Sequence, residues 1–144
     1  MIKWILIFFN VIVFGDNFMS ESPFYIDYAK NKGVIKTDTG LLYKVLKDGK
    51  GKDHPNTSQV VTVHYEGKLT DGSIFDSSYS RGVPAKFGVN QVIPGWVEGL
   101  QLMSEGDEFE FVIPANLAYG QNGIPNVIPP NSVLIFKVSL IEIH

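Results

Sequence analysis

From residue 40 onward the chain is built of short apolar runs, alternating with polar residues at period two and broken by Gly and Pro. In Val60 to Leu69 the alternation puts Val61, Val63 and Tyr65 on one face and Thr62, His64 and Glu66 on the other, as in a strand buried on one side. Asp71-Gly72 supplies a turn, since Gly tolerates positive φ and Asp can bond its own backbone. Ser73 to Asp76 then reads as the returning strand. Further strands are expected at Leu41–Lys47, Ala85–Val89, Glu108–Ile113 and Val133–Ile143. In the last two, Phe109, Phe111 and Ile113 share one face, as do Leu134, Phe136, Val138 and Leu140. One helix is expected over Pro94–Met103, with Pro94 in its first turn, Trp96, Leu100 and Met103 at helical spacing, and Gly106 closing it off. These elements predict an α+β fold, a twisted antiparallel β-sheet of five to six strands wrapped around one short α-helix.

Upstream the pattern changes. Residues 16–39 read as a connector in which Tyr25 to Lys32 form a short helix after Ser22-Pro23, with Gly33 ending it. In residues 1–15, Trp4 to Phe14 is apolar apart from Asn10 and follows Lys3. That run is shorter than the roughly 20 residues a spanning helix needs. It resembles a secretory signal peptide cleaved after Gly15; the alternatives are a short membrane anchor left uncut or a strand docked on the core. The expected division is therefore 1–15 signal peptide or anchor, 16–39 connector and 40–144 compact domain. Export to the periplasm, the medium or the outer face of a membrane is expected, with a cytoplasmic or membrane-tethered protein as the alternative.

Composition narrows the chemistry. A length of 144 residues with 44% hydrophobic side chains suits one domain with a real core. A formal charge of −3 without a basic, aromatic-laced stripe argues against a nucleic-acid partner. The absence of cysteine excludes disulfides and thiolate metal sites. His54, His64 and His144 stand isolated, so no metal is expected, and His64 reads as a hydrogen-bonded structural residue. Gly49-Lys50-Gly51-Lys52 lacks the phosphate-loop spacing, and Ser77 and Ser78 lack a nucleophile elbow. Asn56-Thr57-Ser58 is a formal glycosylation sequon. No cofactor is expected.

What remains is aromatic. Tyr65, Phe75, Phe87, Trp96, Tyr119 and Phe136 come from six separate elements and read either as plain core or as the lining of a pocket. The start of the helix would leave Trp96 near a surface, and a loop position before the Pro-rich Ile124 to Pro130 would keep Tyr119 out of the deep core. Phe75 beside Asp76 suggests an apolar cleft with one polar handle.

VHYEGKLTDGSIFDSS, VIPGWVEGLQLM, IPANLAYG and the closing VLIFKVSLIEI, in this order, resemble an FKBP-type peptidyl-prolyl cis–trans isomerase over about residues 33–144. SRGVPAKF, VNQVIPGW and TDTGLLYKVLKDGKG resemble the bacterial macrophage-infectivity-potentiator branch of that family. The resemblance implies an FKBP-like fold and a cofactor-free isomerase acting on X–Pro bonds. It implies a catalytic set of Asp76, Tyr119, Trp96 and Phe136, with Trp96 as pocket floor and the Tyr119 hydroxyl as a hydrogen-bond donor. It implies substrate-binding positions at Tyr65, Phe75, Phe87, Val92, Ile93 and Ile128, the Ile93 N–H being a second donor, and at Arg81, a partner that orients Asp76. The implied partners are proline-containing polypeptides and macrolide immunosuppressant ligands, with a membrane involved only if the N-terminal segment is uncut.

The chain also departs from the family pattern. Ala85 stands where many eukaryotic members carry Phe, which widens one wall, and Ile124 replaces a frequent His. Phe87 to Val92 is short, as in the bacterial branch. Of that branch's long dimerising helical region only Tyr25 to Lys32 is represented, so a monomer is expected. The competing reading is a non-catalytic chaperone, holdase or partner-binding module on the same fold.

Overall fold

A computed structural model describes residues 22–144. The signal or anchor reading of residues 1–15 concerns residues outside this range. The chain folds as α1 (Pro23–Ala29), β1 (Val34–Lys36), β2 (Leu42–Lys47), β3 (Val60–Lys68), β4 (Ile74–Ser77), α2 (Ser78–Arg81), β5 (Ala85–Gly88), α3 (Pro94–Leu100), β6 (Glu108–Ile113) and β7 (Leu134–Ile143). All strands pair antiparallel in one seven-stranded sheet of order β1-β2-β6-β7-β3-β4, with β5 also pairing with β3. The strand beyond the expected five to six is β1, three residues too short to display a period.

The alternation in β3, β6 and β7 is realised as read. Val61, Val63, Tyr65, Phe109, Phe111, Ile113, Leu134, Phe136, Val138 and Leu140 share one buried cluster with Trp96, Leu100 and Met103 of the α3 region. α3 seats very close to β6, because a Cβ at Gly95 or Gly99 would lie 2.6 Å from Ile113 or 2.7 Å from Phe111. It ends at Leu100 instead of Met103. The chain leaves in a turn, Leu102 N–H donating to Gly99 O and Met103 N–H to Leu100 O, yet Met103 stays fully buried.

The opposite face of the sheet carries a second, smaller core. Val112 and Ile135, out of phase with Phe111 and Phe136, pack with Leu42, Val133 and Tyr25 of α1. α1 begins at Pro23, two residues before the expected start, since Ser22 caps it and its Oγ accepts the Tyr25 N–H. It ends at Ala29, and the turn passes through Gly33 at φ +85°. Tyr25 Oη donates to Gly40 O at 2.5 Å and Tyr28 Oη to Glu110 Oε1 at 2.6 Å, so the short helix is fastened at two points. Marginal in isolation, it gains its stability from this docking.

Candidate active site

β3 and β4 are staggered so that Gly67 lies opposite Asp76, and the chain then turns at once into α2. The Ser77 Oγ caps that single turn by accepting the Ser80 N–H, and Gly82 closes it in the left-handed region. The turn brings Arg81 back over Asp76. Arg81 Nη1 donates to Asp76 Oδ1 at 2.8 Å, Tyr65 Oη donates to Asp76 Oδ2 at 2.7 Å, and Arg81 Nη2 donates to Tyr65 Oη at 2.8 Å. Asp76 is completely buried and the Arg81 side chain 22% exposed, so this triangle is a largely desolvated ion pair whose hydrogen bonds satisfy both charges. Burial, then the neighbouring Asp76, holds the Tyr65 hydroxyl above its ordinary pKa. Burial opposes the Arg81 charge, but its bonds to Asp76 and Tyr65 outweigh that and raise its pKa.

The aromatic rings converge on Trp96, in the first turn of α3. Tyr65 and Phe136 meet the indole edge to face at 5.3 Å, and Phe87 does so at 5.8 Å. Phe75 stands behind Phe136, perpendicular to it at 5.5 Å. Val92, Ile93 and Ile128 complete the same cluster. Ile93 is the N-cap residue of α3, so its N–H lies outside the helix's own hydrogen bonding. Ile128 is placed by an arch that closes on itself, with Ile124 N–H donating to Ile128 O and Ile128 N–H to Ile124 O, each at 2.8 Å. A groove of about 500 Å³ lies beside α3, with Val92, Pro94, Val97 and Leu117 and the polar Thr39, Asn90, Glu98 and Gln101 along its walls; of the residues expected at the site it includes Val92 alone.

All eleven residues expected at the site are brought together, nine of them in the apolar cluster and Asp76 with Arg81 at its edge. Two expectations of depth need correction. Trp96 is 2% exposed, because the indole points between Tyr65, Phe87 and Phe136 and not along the surface. Tyr119 is 4% exposed, because the arch that follows it folds back, Gly123 N–H donating to Tyr119 O. Buried as they are, Trp96 Nε1 and Tyr119 Oη have no hydrogen-bond partner, nor does Asn116 Oδ1 close by in sequence. Unpaired buried donors are costly, and where they persist they point to a ligand or a mechanism. Burial, then the charge of Asp76, raises the Tyr119 pKa, so the hydroxyl remains a donor.

Three contributors, Ser78, Tyr79 and Gly67, escaped the sequence reading. The Ser78 Oγ accepts the Tyr65 N–H at 2.8 Å and lies 2.8 Å from His64 Nδ1, pinning α2 to β3. The His64 ring, hydrogen-bonded as expected, stacks on Tyr79 at 4.5 Å. At Gly67 a Cβ would lie 2.6 Å from the Phe136 ring and 2.7 Å from that of Phe75, so glycine lets the two rings meet. Only Gly67 leaves a local trace, a gap in the alternation of β3. The serine acts across thirteen residues. Among the described residues no cluster of His, Asp and Glu could hold a metal ion.

The family described as FKBP-type peptidyl-prolyl cis–trans isomerase matches residues 51–141. The FKBP-type peptidyl-prolyl cis–trans isomerase FkpA of Aeromonas hydrophila is 53% identical over 116 residues, 81% of this chain and 42% of that protein. The peptidyl-prolyl cis–trans isomerase Mip of Coxiella burnetii is 48% identical over 124 residues, 85% of this chain and 54% of that protein. The crystal structure of FkpA from Escherichia coli superposes with a TM-score of 0.80 at 47% identity, covering 84% of this chain and 56% of that one. The chain spans about half the length of the curated relatives it matches. With this fold, this aromatic cluster and these similarities together, the chain belongs to the family of FKBP-type peptidyl-prolyl cis–trans isomerases.

Proposed function

We propose that the chain accelerates cis–trans isomerisation of X–Pro bonds in folding or exported polypeptides, without covalent intermediate or cofactor. The observation that carries this reading is the Tyr119 hydroxyl, buried, protonated and without a partner in an apolar aromatic cluster that has Asp76 at its edge. Rotation about the bond has a barrier of about 18–20 kcal/mol and takes tens to hundreds of seconds unaided. The twisted amide loses resonance and charge separation, so an apolar surround favours it over the planar ground state. Catalysis then requires differential binding of that twisted form and exclusion of water, with no acid, base or nucleophile.

In this reading Trp96 is the floor on which the proline ring sits, and Phe75, Phe136, Phe87, Val92 and Ile128 are the walls. The Ile93 N–H and the Tyr119 hydroxyl hold the flanking carbonyls, while Tyr65 and Arg81 keep the Asp76 carboxylate in place beside the twisting bond. A macrolide ligand occupies the same lining, with affinity reduced where Ala85 leaves one wall open. Residues 40–144 are the catalytic unit, acting as a monomer. The run Trp4–Phe14 directs the chain out of the cytoplasm; among the described residues no helix is long and apolar enough to cross a membrane. A protease-coupled assay on a prolyl peptide tests the activity. A rate equal to buffer leaves a binding module in place of an enzyme, and loss of rate in Trp96→Leu with retained fold supports the assigned floor.

A further inference from the structure

Charge is divided unevenly along this chain. Residues 26–52 carry seven lysines against three aspartates, whereas residues 53–144 carry four cations against ten carboxylates. A protein of formal charge −3 thus has one segment of net charge +4.

The fold gathers that segment along one edge of the sheet. β1 is the outermost strand, with Val34 opposite Lys44 and Lys36 opposite Leu42. The turn carrying Lys30 and Lys32 comes down beside them, since a Cβ at Gly33 would lie 3.7 Å from Lys44 Cε. β2 then runs about 17 Å from Leu42 to Lys47, and the loop beyond it bears Lys50 and Lys52. Six of the seven lysines are exposed and Lys44 is half-buried. Among the described residues, one of them is ion-paired, Lys50 with Asp48 at 3.6 Å, and both side chains of that pair are open to solvent.

Exposed apolar side chains collect in the same segment. Ile26, Ile35, Val45 and Leu46 are 40, 47, 44 and 43% exposed, four of the nine such residues. A register shift between Val45 and Lys47 marks the irregularity at which Val45 and Leu46 are both exposed. Lys36 and Lys44 lie on the α1 face of this edge and Ile35 and Val45 on the other, so an edge seated on a bilayer offers lysines to the headgroups from one face and aliphatics to the boundary beneath them from the other.

We propose that this β1–β2 edge docks on an anionic lipid bilayer, its lysines facing the headgroups and Ile35, Val45 and Leu46 sitting at their base. The sequence order fits. The apolar run Trp4–Phe14 precedes α1 by eight residues, and α1 contacts β1, so a chain held at a bilayer through that run has this edge nearby. The cleft stays free, because Tyr65 and Asp76 belong to β3 and β4 at the other end of the strand order.

The test is co-sedimentation of the full chain with vesicles of phosphatidylcholine alone or mixed with phosphatidylglycerol. The apolar N-terminal run contributes to both, so the ratio of the two partition coefficients reports the edge. Each lysine near an anionic surface adds roughly fivefold. The wild type is expected to favour the anionic vesicles at least tenfold, and to lose that preference in about 0.5 M salt. Combined Lys30→Glu, Lys32→Glu, Lys47→Glu and Lys52→Glu should abolish the preference and leave circular dichroism and the prolyl-peptide rate unchanged. Ile35→Ser with Leu46→Ser should weaken anionic binding while preserving its salt dependence. Equal partitioning of the wild type between the two vesicles overturns the proposal, as does an unchanged ratio in the lysine variant. Binding to polyglutamate without vesicle preference also overturns it and assigns the edge to an acidic protein.

Discussion

Tyr119 and Arg81 behave oppositely on removal of a polar group, because one lacks a partner and the other has two. Tyr119→Phe deletes a buried hydroxyl that bonds to nothing in the free protein, so its urea midpoint should be unchanged or slightly raised. If that hydroxyl holds a substrate carbonyl in the twisted state, kcat/KM should fall about tenfold, the equivalent of about 1.4 kcal/mol. A stable variant with full activity would remove Tyr119 from the mechanism. Arg81→Leu strands a completely buried carboxylate and should cost about 3–5 kcal/mol. Tyr65→Phe leaves the Arg81–Asp76 pair intact and should cost about 1–3 kcal/mol. Denaturant unfolding of both variants checks the order; a larger loss in Tyr65→Phe would contradict the pairing.

Among the elements, β3 organises the site because it has three strand neighbours, β4, β5 and β7. Its alternation was legible from Val61, Val63 and Tyr65, since period two is a local property of the backbone. Its break at Gly67 has a reason that only packing supplies. Gly67→Ala should drive the Phe75 and Phe136 rings apart, costing about 1–3 kcal/mol and raising KM for a prolyl peptide more than it lowers kcat. Thermal unfolding with steady-state kinetics tests this, and unchanged KM would show that those rings do not contact substrate. α1 was legible in its caps, Ser22 and Pro23, but its docking was not. Tyr28 finds Glu110 eighty-two residues away, and no local pattern in PFYIDYA announces that partner.

For the molecule as a whole, fully and partly buried phenols set an alkaline limit. Tyr28, Tyr65 and Tyr119 are all raised above their ordinary value of 10.0, first by burial and then by the nearby carboxylates Glu110 and Asp76. Above pH 10 the unfolded chain releases these protons while the native chain keeps them. Their contribution is therefore fully present below pH 10 and declines as pH rises toward the folded values. Urea midpoints should be insensitive to these groups from about pH 7 to 9 and fall steeply above about pH 10. Phenolate absorbance of these tyrosines should appear with unfolding. Phenolate resonances assigned by NMR to these three tyrosines at pH 10 in an intact fold would show that their hydroxyls are solvent-accessible.

The sequence by itself determined the sheet-forming runs, the helix that carries Trp96, the turn at Asp71-Gly72 and, through four ordered motifs, a set of residues that the fold brings together around Trp96. Those features depend on periodicity, capping and chain punctuation, which act over a few residues. Tertiary structure alone decided the rest. The short β1 became a strand because β2 was there to receive it. Trp96 and Tyr119 became buried because the rings of Tyr65, Phe87 and Phe136 close around the indole and the arch closes behind Tyr119. Ser78 became a support for Tyr65 only once α2 lay against β3. In each case burial and hydrogen-bond partners are properties of residues far apart in the chain, and they come into being only when the fold brings those residues into contact.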